Sequence, residues 1–199
     1  MRRLALALLL GALPVAAPPL AALAQDAITR CGSLMPRDGL DACAEAMREA
    51  ERDPRLLARL AEALFHADRV LESFAAYRAA LRQTPDDAKL HYQFAGRLVL
   101  SNEFEEGVRA AEAALQLDPQ MLPAWSLLAT SYRYMKQPDK ALAATRRAAE
   151  LGDANEAYAL GLAYRTGSDG LPRDAAAGQH WLGRAAAAGH EAARQELLR

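Results

Sequence analysis

Large apolar, small and turn-forming residues recur along this chain at intervals of 34 positions. Phe94 and Leu98 align with Leu128 and Tyr132, Ala95 with Ala129, Gly107 with Ala141, and Ala114 with Ala148. One interval earlier the same columns hold Leu60, Ala61, Leu64, Ser73, Ala80 and Pro85. Each unit carries two stretches of helical periodicity, separated by a short polar break such as Ser101-Asn102-Glu103. Small residues in two columns (Ala95 and Gly107, Ala129 and Ala141) let two antiparallel helices approach closely. Phe94, Leu98, Phe104, Leu128 and Tyr132 are expected to fill the space around that contact. Asp118-Pro119 ends a unit, because proline removes a helix donor and clashes with the preceding turn. The spacing predicts helices near 55–67, 69–83, 88–100 and 104–117, with Pro138 opening a later one. A fixed period of this length predicts a stack of helix pairs.

These columns resemble the tetratricopeptide repeat. Trp125, Leu128, Ala129, Tyr132, Ala141 and Ala148 stand at that repeat's spacing, and Pro85 and Pro119 match its closing proline. Three units result, at 54–87, 88–121 and 122–153. Ser73 and Gly107 depart from the alanine the family favours, and Asp153 stands where a proline would close the third unit.

The next unit aligns Leu160, Gly161 and Tyr164 with Leu128, Ala129 and Tyr132, and then its loop lengthens from Thr166 to Asp174. With Ala157, Gly167, Gly170, Trp181, Ala185, Ala186 and Gly189, residues 154–189 resemble a Sel-one-like repeat; Gly178 and Leu182 depart from it. The loop glycines permit positive φ, Asp174 is placed to cap the following helix, and Trp181 is placed to cover the packed hairpin. Residues 190–199 read as a capping helix, with Ala193 and Leu197 on one face. Upstream, residues 27–53 join the register after a shift of 30 and read as a shortened first hairpin, turning at Pro36-Arg37-Asp38-Gly39. The expected fold class is therefore all-α. Residues 25–199 are expected to form one right-handed α-solenoid domain of stacked antiparallel helix pairs.

Composition changes this picture little. The 199 residues are 52% hydrophobic and 25% charged, rich in alanine and poor in β-branched residues, which favours helix. Residues 1–24 change it more. A basic start at Arg2-Arg3, an apolar run from Leu4 to Leu13 and the small-x-small Ala22-Leu23-Ala24 predict a secretory signal peptide. The alternative is a retained N-terminal anchor; after cleavage no stable membrane insertion is expected. Cleavage turns a formal net charge of −1 into 22 basic against 25 acidic residues, with no basic block. That argues against a nucleic-acid partner. A periplasmic or secreted location also permits a Cys31–Cys43 disulfide, because both cysteines occupy the close-contact columns of one hairpin. The other reading is two buried free thiols.

No nucleophile motif, phosphate-binding glycine loop or metal-spaced cluster stands in the sequence, and no catalytic residue, cofactor or metal is expected. His66, His91, His180 and His190 read as helix-face or loop residues. The repeat resemblance implies a binding module whose concave side is lined by the first helix of each pair. Its concave places fall on Arg55, Ala58, Glu62, Phe65 and His66, on Lys89, Tyr92, Gly96, Val99 and Leu100, and on Ser126, Thr130, Arg133 and Tyr134, followed by Tyr158 and Arg165. Arg55, Lys89, Tyr92, Arg133, Tyr134, Tyr158 and Arg165 are the implied anchors. They would hold a peptide or protein segment with an acidic group or free carboxyl terminus. Arg133→Ala and Tyr92→Ala are expected to weaken capture without unfolding the chain. The function implied is an exported scaffold, an adaptor in an envelope complex. The alternative is a cell-wall-ligand-binding protein or enzyme of the cysteine-containing Sel-one-like type.

Overall fold

The computed structural model describes Thr29, Cys31, residues 39–51 and residues 53–198. The expected signal peptide and the turn residues Pro36 to Asp38 lie outside the described residues. Among the described residues every element is helical. The order is α1 (Gly39–Ala50), α2 (Pro54–His66), α3 (Val70–Gln83), α4 (Ala88–Leu100), α5 (Phe104–Leu117), α6 (Leu122–Tyr134), α7 (Pro138–Glu150), α8 (Ala154–Thr166), α9 (Ala175–Ala187) and α10 (Glu191–Leu197). Helices α2 and α3, α4 and α5, α6 and α7, and α8 and α9 pack as antiparallel pairs, and each pair stacks on the next.

The starts of these helices follow from aspartates. Asp53, Asp87, Asp153 and Asp174 accept backbone N–H bonds from the first turns of α2, α4, α8 and α9, which satisfies donors that a helix start leaves open. Pro54 occupies the first turn of α2. Inside the first three pairs the turn instead satisfies carbonyls that the end of the first helix leaves open. Asp68, Asn102 and Lys136 adopt left-handed φ of 60°, 63° and 55° at the repeat interval. After each, an N–H returns to a carbonyl five residues back: Arg69 to Leu64, Glu103 to Leu98, Gln137 to Tyr132, all at 2.9 Å. This is a Schellman closure, and it reverses the chain within a few residues. The fourth pair reverses differently, through the longer segment between Gly167 (φ 75°) and Asp174, with Gly170 at φ 76°.

The small columns bring the paired helices together. Ser73, fully buried, donates its hydroxyl to the Ala61 carbonyl at 2.7 Å. A Cβ added to Gly107 would sit 3.3 Å from the Ala95 carbonyl, and one on Gly161 would sit 2.8 and 2.9 Å from Leu182 atoms. Phe94, Leu98, Leu128 and Tyr132 fill the core as expected. Phe94 also binds one pair to the next, stacking on Tyr77 at 5.2 Å and meeting the Phe74 edge at 5.7 Å. Phe104 is different: it is only half-buried and stacks on Tyr134.

The buried residues fall into two clusters, one running from Cys31 to Ala144 and the other from Ala149 to Ala193. A Cys31–Cys43 disulfide, with Cα atoms 4.7 Å apart, ties the segment before α1 to that helix. On α10 only Ala193 is buried. Leu197, expected on the same inner face, lies in the last turn of the seven-residue helix and keeps 37% of its surface exposed. No helix among the described residues is long and apolar enough to cross a membrane.

Candidate functional site

A cleft of about 810 Å³ opens across α2, α4 and α6. Gly96, in the middle of α4, lines it, and a Cβ placed there would meet no atom within 4 Å, so the cleft is open beside it. Val99, Leu100, Leu122, Pro123 and Leu127 give the cleft apolar walls, and Leu100 keeps 66% of its surface exposed. Tyr92, Gln93 and Thr130 stand among them. Neither the Gln93 amide nor the Thr130 hydroxyl has a hydrogen-bond partner among the described residues.

The charged groups of the cleft are held internally. Arg97 pairs with Glu62 of α2 at 2.6 Å, and its guanidinium lies 4.9 Å from the Phe65 ring centre. Glu62 also accepts the hydroxyl of buried Tyr77. Burial first, and that hydrogen bond second, push the Tyr77 phenol well above its ordinary pKa. At the other wall Ser126 donates to Asp153 at 2.6 Å, while Asp153 caps α8 with its other oxygen. The result is an apolar trough flanked by the Arg97–Glu62 ion pair on one side and the hydrogen-bonded Asp153 carboxylate on the other.

The seven anchors implied by the sequence separate into three groups. Tyr92 lines the cleft. Arg55 and Lys89 are exposed and form no ion pair among the described residues. The other four are engaged within the chain. Arg133 pairs with Glu156 of α8 at 2.6 Å, and Arg165 pairs with Glu196 of α10 at 2.6 Å. Tyr134, 68% exposed, stacks on Phe104 with ring centres 5.1 Å apart. Tyr158 stacks on His190 at 4.2 Å. Of the wider concave set, Glu62, Gly96, Val99, Leu100, Ser126 and Thr130 also line the cleft. Sequence reasoning missed Gln93, Arg97, Leu122, Pro123, Leu127 and Asp153. One signal for Arg97 was available: Glu62 lies 35 residues upstream, one more than the repeat interval, which puts an acid and a base on adjacent first helices.

The histidines stay apart. His91 meets the Pro85 carbonyl at 2.9 Å, and His190 accepts from the Ala193 N–H through Nδ1 at 3.2 Å. His66 lies 3.8 Å from Glu62, and His180 faces the Trp181 edge. No group of three or more His, Cys, Asp or Glu positioned for a metal occurs among the described residues.

No family model matches this sequence, and no curated protein matches it either. Solved structures do resemble it. A MamA fragment (residues 41 to the end) from Desulfovibrio magneticus RS-1 superposes with a TM-score of 0.61 at 18% identity, covering 86% of this chain and 96% of that one. PilF of Pseudomonas aeruginosa gives 0.60 at 17% identity over 85% and 78%. YrrB, a TPR protein with an unusual peptide-binding site, gives 0.56 at 19% identity over 74% and 75%. The chain thus has a tetratricopeptide-like solenoid fold.

Proposed function

We propose that this chain is an exported interaction scaffold that holds a peptide or protein segment in the α2–α4–α6 cleft. The observation that carries the reading is the opening at Gly96: an apolar trough with an unpartnered amide and hydroxyl in its walls. Apolar side chains of a bound segment gain burial there. Gln93 and Thr130 supply hydrogen bonds that its main chain would otherwise lose with water. The volume is in the range of ligand clefts. The likeness to YrrB, which has a peptide-binding site, supports the same reading.

Export rests on the basic-apolar-small pattern of residues 1–24, and the Cys31–Cys43 bridge suits an oxidising compartment. A role as adaptor in an envelope complex follows from export and the cleft together. An acidic group on the partner would meet Lys89, one turn before Tyr92 on α4, and Arg55 on α2, rather than Arg165, which Glu196 already neutralises.

Site-specific photocrosslinking in the native cell tests the reading. A benzophenone side chain replacing Gln93 is expected to trap a discrete partner band in the envelope fraction. The same group replacing Arg109, exposed on α5, is expected to trap none. Adducts from Arg109 with none from Gln93 would place binding elsewhere.

A further inference from the structure

We propose that a second, smaller cavity, between the α6–α7 turn and α8, takes a bulky apolar side chain flanked by an acidic residue. That side chain would belong to the segment bound in the cleft, so the inference rests on the cleft reading above. The cavity measures about 190 Å³. It lies where the two core clusters meet, because a short turn in the third pair faces a longer loop in the fourth and the helices between carry alanine. Ala159, Leu160 and Ala163 of α8 and Leu142 of α7 form its apolar wall. An apolar cavity of about 150 Å³ admits a benzene ring, so this one has room for a phenylalanine or leucine side chain.

The mouth has a definite charge pattern. Arg133, Lys136 and Asp169 border the cavity. The Arg133 guanidinium is committed to Glu156, whose carboxylate also accepts from Thr145 at 2.9 Å. Lys136 is exposed and forms no ion pair among the described residues, so it is the cation left for a ligand carboxylate. Asp169 accepts from the Ser168 hydroxyl at 3.2 Å and keeps acceptor capacity for a main-chain N–H. The cavity and the cleft share no lining residue but are neighbours along α6. Thr130 lines the cleft and Arg133 lines the cavity, and on α6 these positions are about one turn, near 5 Å, apart. That spacing is within the span of about two residues of an extended segment lying in the cleft.

Three blocked tripeptides test this by backbone amide shifts of the purified chain: acetyl-Asp-Phe-Asp-amide, acetyl-Asp-Ala-Asp-amide and acetyl-Lys-Phe-Lys-amide, each titrated to about 10 mM to cover millimolar dissociation constants. The first is expected to give saturable shifts at Lys136, Ala159, Leu160 and Ala163, and the other two to bind roughly tenfold more weakly. Ala159→Leu, at a half-buried position, fills the cavity and is expected to abolish those shifts. Lys136→Asn keeps a residue suited to left-handed φ, as Asn102 shows in the same column, and removes the charge. It is expected to erase the preference for aspartate over lysine flanks while leaving the melting temperature near that of the parent. Equal affinity for the three peptides, no saturable shift at these residues, or shifts that survive Ala159→Leu would each overturn the proposal. The cleft reading is read out separately, by the effect of Gly96→Trp on a peptide selected from a random display library.

Discussion

Tyr132 and Tyr77 are both buried phenols, and each donates to a carboxylate on the partner helix of its own or the preceding pair. For Tyr132, burial and then the hydrogen bond to Glu112 raise the pKa from 10.0 to about 12. A raised phenol favours the neutral form in the fold. Its contribution to stability is therefore complete below about pH 10 and is lost as pH rises through about 12. Thermal melts across that window are expected to fall more steeply for the parent chain than for Tyr132→Phe, which has no phenol to ionise. Parallel curves would remove Tyr132 from the account. Arg133 changes meaning for a related reason. The repeat columns suggest a free anchor, but its guanidinium neutralises Glu156, which is only 7% exposed. Arg133→Ala is accordingly expected to destabilise the chain by about 1–2 kcal/mol, less than for a fully buried pair because Arg133 itself is half in solvent. Chemical denaturation measures this, and an unchanged midpoint would return Arg133 to the list of free anchors. Such pairings escape the sequence because acid and base lie 23 and 35 residues apart, for Arg133–Glu156 and Arg97–Glu62, and only the stacking of pairs brings them into contact.

At the scale of elements, the period carried most of the fold. Helix boundaries came out within about a residue or two of the spacing, because proline, aspartate caps and polar breaks mark each end in every unit. The left-handed column at Asp68, Asn102 and Lys136 was not read, since lysine is an unusual occupant of that region and hides the pattern. The two non-alanine departures at the close-contact columns also acquire reasons. Ser73 satisfies its hydroxyl on the facing backbone, and Gly107 faces a Val99 methyl at 2.7 Å from any added Cβ. Gly161 faces backbone instead, at 2.9 Å from Leu182 N. Gly107→Ala is thus expected to cost less than Gly161→Ala, because its tightest contact is a side-chain methyl rather than backbone and alanine's helix preference offsets part of the crowding. Gly161→Ala is expected to destabilise by about 1–3 kcal/mol through overpacking. Differential scanning calorimetry of the two variants decides this, and equal midpoints would mean that α8 and α9 separate more easily than their spacing implies.

At the scale of the molecule, a solenoid distributes its stability over neighbouring pairs, and an end has only one neighbour to pack against. The Cys31–Cys43 bridge sits at such an end and contributes on the order of 2–3 kcal/mol by restricting the unfolded chain. Reduction is expected to speed amide hydrogen exchange in α1 and α2 while leaving α6 to α9 unchanged; uniform acceleration would mean that the stack unfolds as one unit. The cleft was partly legible in the sequence because repeat columns locate first-helix residues. Its character was not, because column positions say which residues face inward but not which of them are already paired.

Gly96 offers the most direct test of the cleft itself. A tryptophan there meets no neighbouring atom at Cβ and fills the trough, whereas Gly183 on α9 is equally open and lies outside it. With a peptide selected from a random display library, Gly96→Trp is expected to weaken binding at least roughly tenfold. Its melting temperature should be unchanged or raised, since glycine is the weaker helix former. Gly183→Trp is expected to bind as the parent does. Undiminished affinity in a folded Gly96→Trp protein would contradict the assignment of binding to the α2–α4–α6 cleft.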